Sequence, residues 1–162
     1  MQRVYVSDTN IWIDFRNADL LDVLFRLPFR FCSTDFVLHE LQDLAHEELT
    51  RRGLIVESLG SEAVADLMHL TAEHNNSSLA DVSCYYLARQ SGLPLLTGDG
   101  RLRRQAQKDG MAVHGALWLL DQLLAHAVVD ESALAAALHR MLAAGARFPS
   151  EECQRRFKEW AT

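Results

Sequence analysis

Four acidic residues, Asp8, Glu40, Asp81 and Asp99, are placed where they could share one site. Carboxylates that are forced together repel one another, and a divalent cation removes that repulsion. Carboxylate oxygens suit hard ions such as Mg²⁺ or Mn²⁺. In a protein site such an ion can activate water and stabilise the leaving oxygen of a phosphodiester. The chemistry that these residue types indicate is therefore metal-dependent phosphodiester hydrolysis.

Short apolar segments alternate with helical patterns along the chain, and the apolar segments predict five strands. The predicted strands are Arg3–Ser7, Phe29–Cys32, Leu54–Glu57, Pro94–Thr97 and Met111–His114. Strands that alternate with helices indicate βαβ units and a parallel sheet with helices on both faces. In such a sheet, ligands bind beyond the carboxyl ends of the strands. The residues that follow each strand are therefore the candidates for a site.

The four acids fit this rule through the topology of the predicted sheet. Asp8 directly follows the first strand, and Asp99 follows the fourth with only Gly98 between. Glu40 lies in the second turn of the helix after the second strand, and Asp81 lies in the first turn of the helix before the fourth. The sequence therefore predicts that the acids converge at one sheet edge. Taken singly, Asp81 and Asp99 fit helix caps better than ligands, and it is the pattern of four acids together that favours a shared site.

Composition limits the classes of protein that remain. The sequence has 162 residues with 22 acids against 16 bases, a net charge of −6, which argues against coating DNA or an anionic membrane by bulk charge. Its three cysteines are far apart, so we expect neither a disulfide framework nor a zinc knuckle, and we expect a reducing cytoplasm. No secretory signal or membrane-spanning stretch is evident, so no membrane association is expected.

Four segments resemble the PIN-domain nucleases in order and spacing, and most closely the toxin ribonucleases of VapC type. They are VYVSDTNIWIDF, STDFVLHEL, LADVSCYYLA and PLLTGDGRLRRQA. The resemblance covers roughly residues 3–125 and implies a three-layer α/β/α fold with a central, mainly parallel sheet. We expect a PIN-like nuclease domain over residues 1–130 and a C-terminal helical extension over 131–162, packed on the domain or continuous with it.

The resemblance also assigns roles to residues. The catalytic residues and metal ligands would be Asp8, Glu40, Asp81 and Asp99. Thr9, Asn10 and Thr97 would support the site. The implied enzyme is a Mg²⁺- or Mn²⁺-dependent endoribonuclease whose products carry 5′-phosphate and 3′-hydroxyl ends. It would be the toxin of a type II toxin–antitoxin pair, with RNA as its substrate, a cognate antitoxin as its partner, and a homodimer as its assembly.

A basic run departs from the pattern of some family members, which carry another acid shortly after the last Asp. Here Arg101, Arg103 and Arg104 follow Asp99. This run would hold RNA phosphates beside the metal. The alternative is a solvated helix face with some ion pairs.

Two other functions stay open on sequence grounds. The first is a phosphatase or phosphotransferase of the haloacid-dehalogenase type with Asp8 as nucleophile, although that family has an acid where this chain has Asn10. The second is a PIN-like module that binds a partner without catalysis. Three further acids fit no strand end: we interpret Asp35 as a charge at a helix N-terminus, and Asp14 and Asp43 as solvated or supporting residues.

Overall fold

A parallel five-stranded sheet forms the centre of the molecule. The computed structural model describes residues 3–42, 44, 46–73 and 77–161. The strands are β1 (Arg3–Ser7), β2 (Phe29–Thr34), β3 (Ile55–Glu57), β4 (Leu95–Leu96) and β5 (Val113–His114). Their order in the sheet is β3-β2-β1-β4-β5, and every pair is parallel. All five predicted strands are therefore present, with boundaries that differ by up to two residues.

The first strand of the chain is the middle strand of the sheet. Tyr5 of β1 is in register with Phe31 of β2, and Val6 is in register with Leu95 of β4. The chain builds outward from β1 to β3, then returns to the other side of β1 to build β4 and β5. The chain connections therefore leave β1 and β4 in opposite directions along the sheet. Open α/β sheets bind ligands in the crevice that forms at the carboxyl ends of two strands with this arrangement.

Helices cover both faces of the sheet, which confirms the predicted three-layer α/β/α fold. Those in the described part of the chain are α1 (Thr9–Asn17), α2 (Leu21–Leu24), α3 (Asp35–Glu40), α4 (His46–Thr50), α5 (Ser61–Glu73), α6 (Leu79–Ser91), α7 (Gly100–Lys108), α8 (Ala116–Ala125), α9 (Glu131–Ala143) and α10 (Ser150–Trp160). None of them is both long enough and apolar enough to cross a membrane.

Packing differs between the two faces. On one face, aromatic rings fill the space under α1 and α8: Tyr5 lies 5.3 Å from Trp118, and Trp12 lies 5.9 Å from Phe31, between ring centroids. On the other face, α6 contacts β1, β2 and β4. Its buried side chains include the small residues of its inner surface, Ala80, Ser83, Cys84 and Ala88. Small side chains allow α6 to approach the sheet closely, which brings its first turn near the ends of β1 and β4.

The C-terminal helices pack on the aromatic side of the molecule. Helix α9 contacts α1 and α8, and Arg140 Nη2 donates to the carbonyl of Ala18 at 3.1 Å. Helix α10 packs on α9, where the rings of His139 and Phe157 stack with centroids 4.1 Å apart. Residues 131–161 therefore extend the helical layer over α1. The division of the chain at residue 130 stays a prediction.

One predicted helix is divided in the structure. The apolar stripe from Phe36 predicts a continuous helix towards Gly53, but α3 ends at Glu40 and α4 begins at His46. Leu41 adopts an extended conformation with ψ 111° and is buried, as is Leu44. Burial of these two leucines takes the chain off the helical path. The prediction also runs through Asp43 and Ala45, which lie outside the described residues.

Candidate active site

Asp8 is held in a fixed orientation at the end of β1. It is fully buried and is the N-cap of α1, and its Oδ1 accepts a hydrogen bond from the Ile11 N–H at 3.1 Å. Its Oδ2 accepts from Thr97 Oγ1 at 2.7 Å and from the Gly98 N–H at 3.0 Å. Burial nevertheless raises the pKa of Asp8, and the nearby charge of Asp99 raises it further. The fold therefore buries a carboxyl group that favours a proton or a cation.

Thr97 and Asp99 connect the end of β4 to Asp8. Thr97 Oγ1, which donates to Asp8, also accepts from the Asp99 N–H at 3.0 Å. Asp99 Oδ1 accepts from two backbone N–H groups in the first turn of α7, so Asp99 is a helix cap, as the alternative interpretation holds. Its Oδ2 accepts from Ser77 Oγ at 2.6 Å. The Thr97 hydroxyl group thus links the carboxyl group of Asp8 to the backbone of Asp99.

Asp81 has an oxygen atom that the protein does not satisfy. It lies in the first turn of α6 and is only 8% exposed. Its Oδ1 is buried and has no hydrogen-bond partner among the described residues. Burial raises the pKa of Asp81 to about 7, and the charges of Asp8, Glu40 and Asp99 raise it as well, in that order. The four predicted acids therefore share one electrostatic neighbourhood.

The acids do not, however, form a ready chelating set. Among the described residues, no group of three or more His, Cys, Asp or Glu side chains is arranged to hold a metal ion. Glu40 is exposed at the end of α3. The oxygens of Asp8 and Asp99 accept hydrogen bonds from protein donors. The topology brings the acids to one edge, but coordination requires Glu40 to turn inward and some of these bonds to be exchanged.

The donor chemistry at this edge fits a divalent cation. All four side chains offer carboxylate oxygens, the ligands that Mg²⁺ and Mn²⁺ prefer. The unpartnered Asp81 Oδ1 is free to coordinate, and a positive charge there would offset the repulsion that raises the pKa of Asp81. Thr9 adds a second buried oxygen atom, Oγ1, without a hydrogen-bond partner in the described structure.

Asn10 follows Asp8 and Thr9 at the start of α1, on the exposed rim of the site. A Cβ atom built at Gly98 would lie 3.4 Å from the Asn10 Cβ, so the loop after β4 passes close to this helix start. At this distance a Cβ atom would make an ordinary van der Waals contact, so the packing against Asn10 does not by itself require glycine at position 98. The coordinates place Thr9, Asn10 and Thr97 around Asp8, while their supporting roles stay predictions.

The three arginines after Asp99 have different environments. Arg103 is half-buried, and its Nη2 donates to the Thr97 carbonyl at 3.1 Å. Its guanidinium group fills the space over Gly115, where any Cβ atom would overlap Nη2. Arg101 and Arg104 are exposed on α7. Arg103 is therefore part of the wall of the site, and contact of the three side chains with RNA stays a prediction.

The structure adds two residues to the surroundings of the site. The sequence analysis interprets Asp14, on α1, as solvated or supporting; it is half-buried, and burial together with the charge of Asp8 raises its pKa to about 7. The available signal was the polar spacing of Asn10, Asp14 and Asn17 along an otherwise apolar helix. Ser77, which donates to Asp99, had no signal beyond its place in a polar segment.

A buried hydrogen-bond network supports the backbone before Asp8. The carbonyl oxygen of Ser7 accepts from Ser33 Oγ at 2.6 Å and from Cys84 Sγ at 3.4 Å. Ser33 Oγ in turn accepts from the Trp12 Nε1–H at 3.0 Å. Residues from β2, α1 and α6 therefore fix the end of β1. A buried polar network that is satisfied in this way rigidifies its surroundings.

A parallel sheet with acids at the carboxyl ends of its central strands is the frame of the PIN domain, and a family model described as PIN domain matches residues 4–162. The chain belongs to the PIN-domain family. Among solved structures, it is similar to a PilT N-terminus domain protein from the hyperthermophilic archaeon Sulfolobus solfataricus P2, with 12% identity and a TM-score of 0.48 over 75% of this chain and 93% of that chain. The search of curated proteins gave no match.

Family membership sets the general chemistry of the site. The PIN domain is a nuclease fold, and PIN domains generally use divalent metal ions. The matched region runs through α9 and α10, beyond residue 125 where the resemblance in sequence motifs stops. The haloacid-dehalogenase alternative gains no support from the family match.

Proposed function

We propose that this protein is a Mg²⁺- or Mn²⁺-dependent endoribonuclease that hydrolyses RNA phosphodiesters. The observation that carries the proposal is the buried Asp81 Oδ1, which lacks a protein partner while the charges of Asp8, Glu40 and Asp99 act on the same carboxyl group. Strongly perturbed acids in a cleft are typical of functional sites. A nuclease that uses a divalent ion needs clustered carboxylate oxygens, at least one of which is free to coordinate.

The four acids would hold the ion, which when bound supplies Lewis-acid activation of water and of the phosphate. Thr97 and Gly98 fix the carboxyl group of Asp8, and Ser77 fixes that of Asp99. Asp81 contributes its unpartnered oxygen. The exposed Glu40 side chain would close the set from the rim, because it is the member least constrained by the fold.

The test is cleavage of single-stranded RNA by purified protein with Mg²⁺, with Mn²⁺ and with EDTA. We expect cleavage with either metal, none with EDTA, and a loss of about 100-fold or more in Asp8→Asn. Glu159→Gln is the matched control, since it removes an exposed acid on α10. Cleavage in EDTA, or full activity in Asp8→Asn, rejects the mechanism. RNA binding without cleavage in any divalent metal supports the inactive binding module instead.

The proposal extends to a biological role as the toxin of a type II toxin–antitoxin pair, acting in the cytoplasm as a homodimer. Its support is the likeness of the four motif segments to VapC-type toxins. Expression in a bacterial host is expected to arrest growth for the wild type and not for Asp8→Asn, and co-expression of a small antitoxin from the neighbouring gene should restore growth. RNA cleavage in vitro without growth arrest contradicts the toxin role and leaves the nuclease intact.

A further inference from the structure

A cleft of about 780 Å³ opens beside the acidic edge, on the side of the C-terminal helices. Asn10 and Asp14 of α1 form one wall, together with Gly98 and Gly100 at the end of β4. The opposite wall is the segment 144–149 between α9 and α10. The volume is in the range of sites that bind small ligands. The cleft adjoins the proposed metal site, because Asn10 and Gly98, which line the cleft, are close in sequence to Asp8 and Asp99.

The opposite wall is fixed at both of its ends. At the end of α9, Gly145 adopts φ +103°, and the Ala146 N–H donates to the Met141 carbonyl at 3.0 Å. Phe148 then packs against the core, and Pro149 precedes α10. Between these two fixed points, Arg147 is exposed and lines the cleft. The loop therefore presents one cation to the cleft on a short, anchored piece of backbone.

Helix α10 is locked beside the cleft by an ion pair. Arg156, which is 5% exposed, donates to Asp121 through Nε at 2.9 Å and through Nη2 at 2.6 Å. Both side chains line the cleft, but their charges offset each other. The pair therefore fixes the wall without offering a charge to a ligand.

Arg147 differs from Arg156 because it makes no ion pair or side-chain hydrogen bond with any described residue. Arg103 adds a second positive charge to the cleft wall. The acids Asp14 and Glu152 also line the cleft, so it does not attract anions throughout. An anionic group of a ligand therefore belongs near Arg147, which has no acidic side chain of the described residues bound to it.

The remaining lining suits a nucleotide. Gly98 and Gly100 are exposed and have no side chains, so a strand can approach the backbone closely there. The stacked rings of His114 and Trp118, with centroids 4.0 Å apart, add a flat surface at one wall. Proteins that bind single strands combine basic residues for phosphates with flat surfaces for bases.

We propose that this cleft binds an unpaired nucleotide of the RNA strand adjacent to the scissile phosphate, and that Arg147 binds the phosphate of that nucleotide. The proposal rests on the proposed ribonuclease function and assigns a substrate-binding role to the C-terminal helical segment. Arg147 lies outside the motif-bearing region and would set the affinity for the strand, not the chemical step.

The test measures binding of a short fluorescent single-stranded RNA by anisotropy in Mg²⁺, in an Asp8→Asn background so that the RNA stays intact. Arg147→Ala is expected to weaken affinity about fivefold, and Arg147→Glu to weaken it further, through loss of a charge-assisted phosphate contact. Arg155→Ala is the matched control, because Arg155 is exposed on α10 and does not line the cleft. Unchanged affinity in Arg147→Glu, or an equal loss in Arg155→Ala, overturns the proposal.

Cleavage kinetics with the native Asp8 separate this proposal from the proposed function. Arg147→Ala should raise KM about fivefold and leave kcat within about twofold, with an unchanged melting temperature. If the wild type does not cleave RNA, the proposed ribonuclease function is rejected. The anisotropy measurement alone then tests whether the cleft binds an RNA nucleotide. A lower kcat with unchanged KM and affinity also overturns the proposal, since Arg147 would then act on the chemistry.

Discussion

Two regions of this molecule contain a buried charged residue, and they differ in whether that charge has a partner of opposite sign. One region is the ion pair that holds α10, which we call the C-terminal lock. There Arg156 donates two hydrogen bonds to Asp121, so each charge is paired with an opposite charge. At the acidic edge, Asp81 has a buried oxygen without a partner, and its charged neighbours are of the same sign. The same fold thus satisfies one buried charge completely and leaves another in need of a ligand.

The presence or absence of a partner distinguishes the charge of Arg156, which stabilises the fold, from that of Asp81, to which we assign a role in function. Burial of a charge is unfavourable unless it is paired, so an unpaired acid cluster destabilises the native state. At the lock the compensation is internal. At the acidic edge it has to come from a proton or a cation, which is why we propose that edge as a cation-binding site.

The largest expected effect is at the unpaired region. Asp81→Asn should lower the rate of RNA cleavage by about 100-fold or more, because it removes a proposed metal ligand. In EDTA at pH 8 the same variant should melt at a higher temperature than the wild type, because a buried and repelled charge is gone. Cleavage assays and thermal melts measure the two effects. A lower melting temperature in EDTA would show that Asp81 has a structural role instead.

At the paired region we expect the opposite behaviour. Arg156→Met should lower the free energy of unfolding by about 2 kcal/mol, because it leaves Asp121 without its partner. The value lies below that for a fully buried pair since the Asp121 side chain is 41% exposed. Urea denaturation measures the loss, with Arg155→Met as the exposed control. Equal stability of the two variants would contradict a structural lock.

Stability should also depend on pH through the acidic edge. The pKa of Asp81 is about 7 in the folded protein, above its ordinary value of 3.8, so between these values the folded state binds a proton that the unfolded state does not. Stability therefore rises as the pH falls through 7. In EDTA, the melting temperature should rise by about 3 °C from pH 8.0 to pH 6.5.

The pH range of this prediction ends at 6.5 because of His114. Burial lowers the pKa of His114 from its ordinary 6.5, so below pH 6.5 protonation of this histidine favours the unfolded state and opposes the gain in stability. Asp14, whose pKa is also about 7, contributes in the same direction as Asp81. Asp81→Asn should flatten the slope in part, and Glu159→Gln should not. A melting temperature that falls between pH 8.0 and 6.5 would reverse the assigned direction.

The smallest effect is expected from added metal at low pH. Saturating Mg²⁺ should raise the melting temperature at pH 8.0 and raise it less at pH 6.5, because protons compete for the same carboxyl groups. Differential scanning fluorimetry with and without EDTA measures this. A metal-dependent shift of equal size at both pH values, or one retained in Asp81→Asn, would place the ion elsewhere.

The sequence was sufficient for the sheet and for two positions of the site. Alternation of short apolar strands and helices is a local property, so Asp8 and Asp99 were correctly placed at the ends of β1 and β4. The N-caps at Thr34 and Ser78 and the left-handed C-cap at Gly92 are likewise local features of the chain. These features depend on neighbours within a few residues along the chain.

What the sequence missed depends on distant packing. The break between α3 and α4 follows from burial of Leu41 and Leu44, which periodicity does not reveal. The raised pKa of Asp14 comes from its burial in the fold and from the charge of Asp8. The cleft around Arg147 is lined by residues that are far apart in sequence, from α1 and from the segment 144–149. The helix-forming sequence of residues 131–143 predicts α9, but it does not indicate on which side of the sheet this helix packs.

The hydroxyl group that joins Asp8 to Asp99 has a consequence for biosynthesis. Asp8 is synthesised well before the Thr97 hydroxyl and Gly98 N–H that orient it, which follow 89 and 90 positions later. An emerging chain therefore carries an aspartate without these two donors until the residues after β4 have been made. Translation itself delays assembly of the acidic centre until residues 97–99 exist, and a product that is terminated before them lacks it.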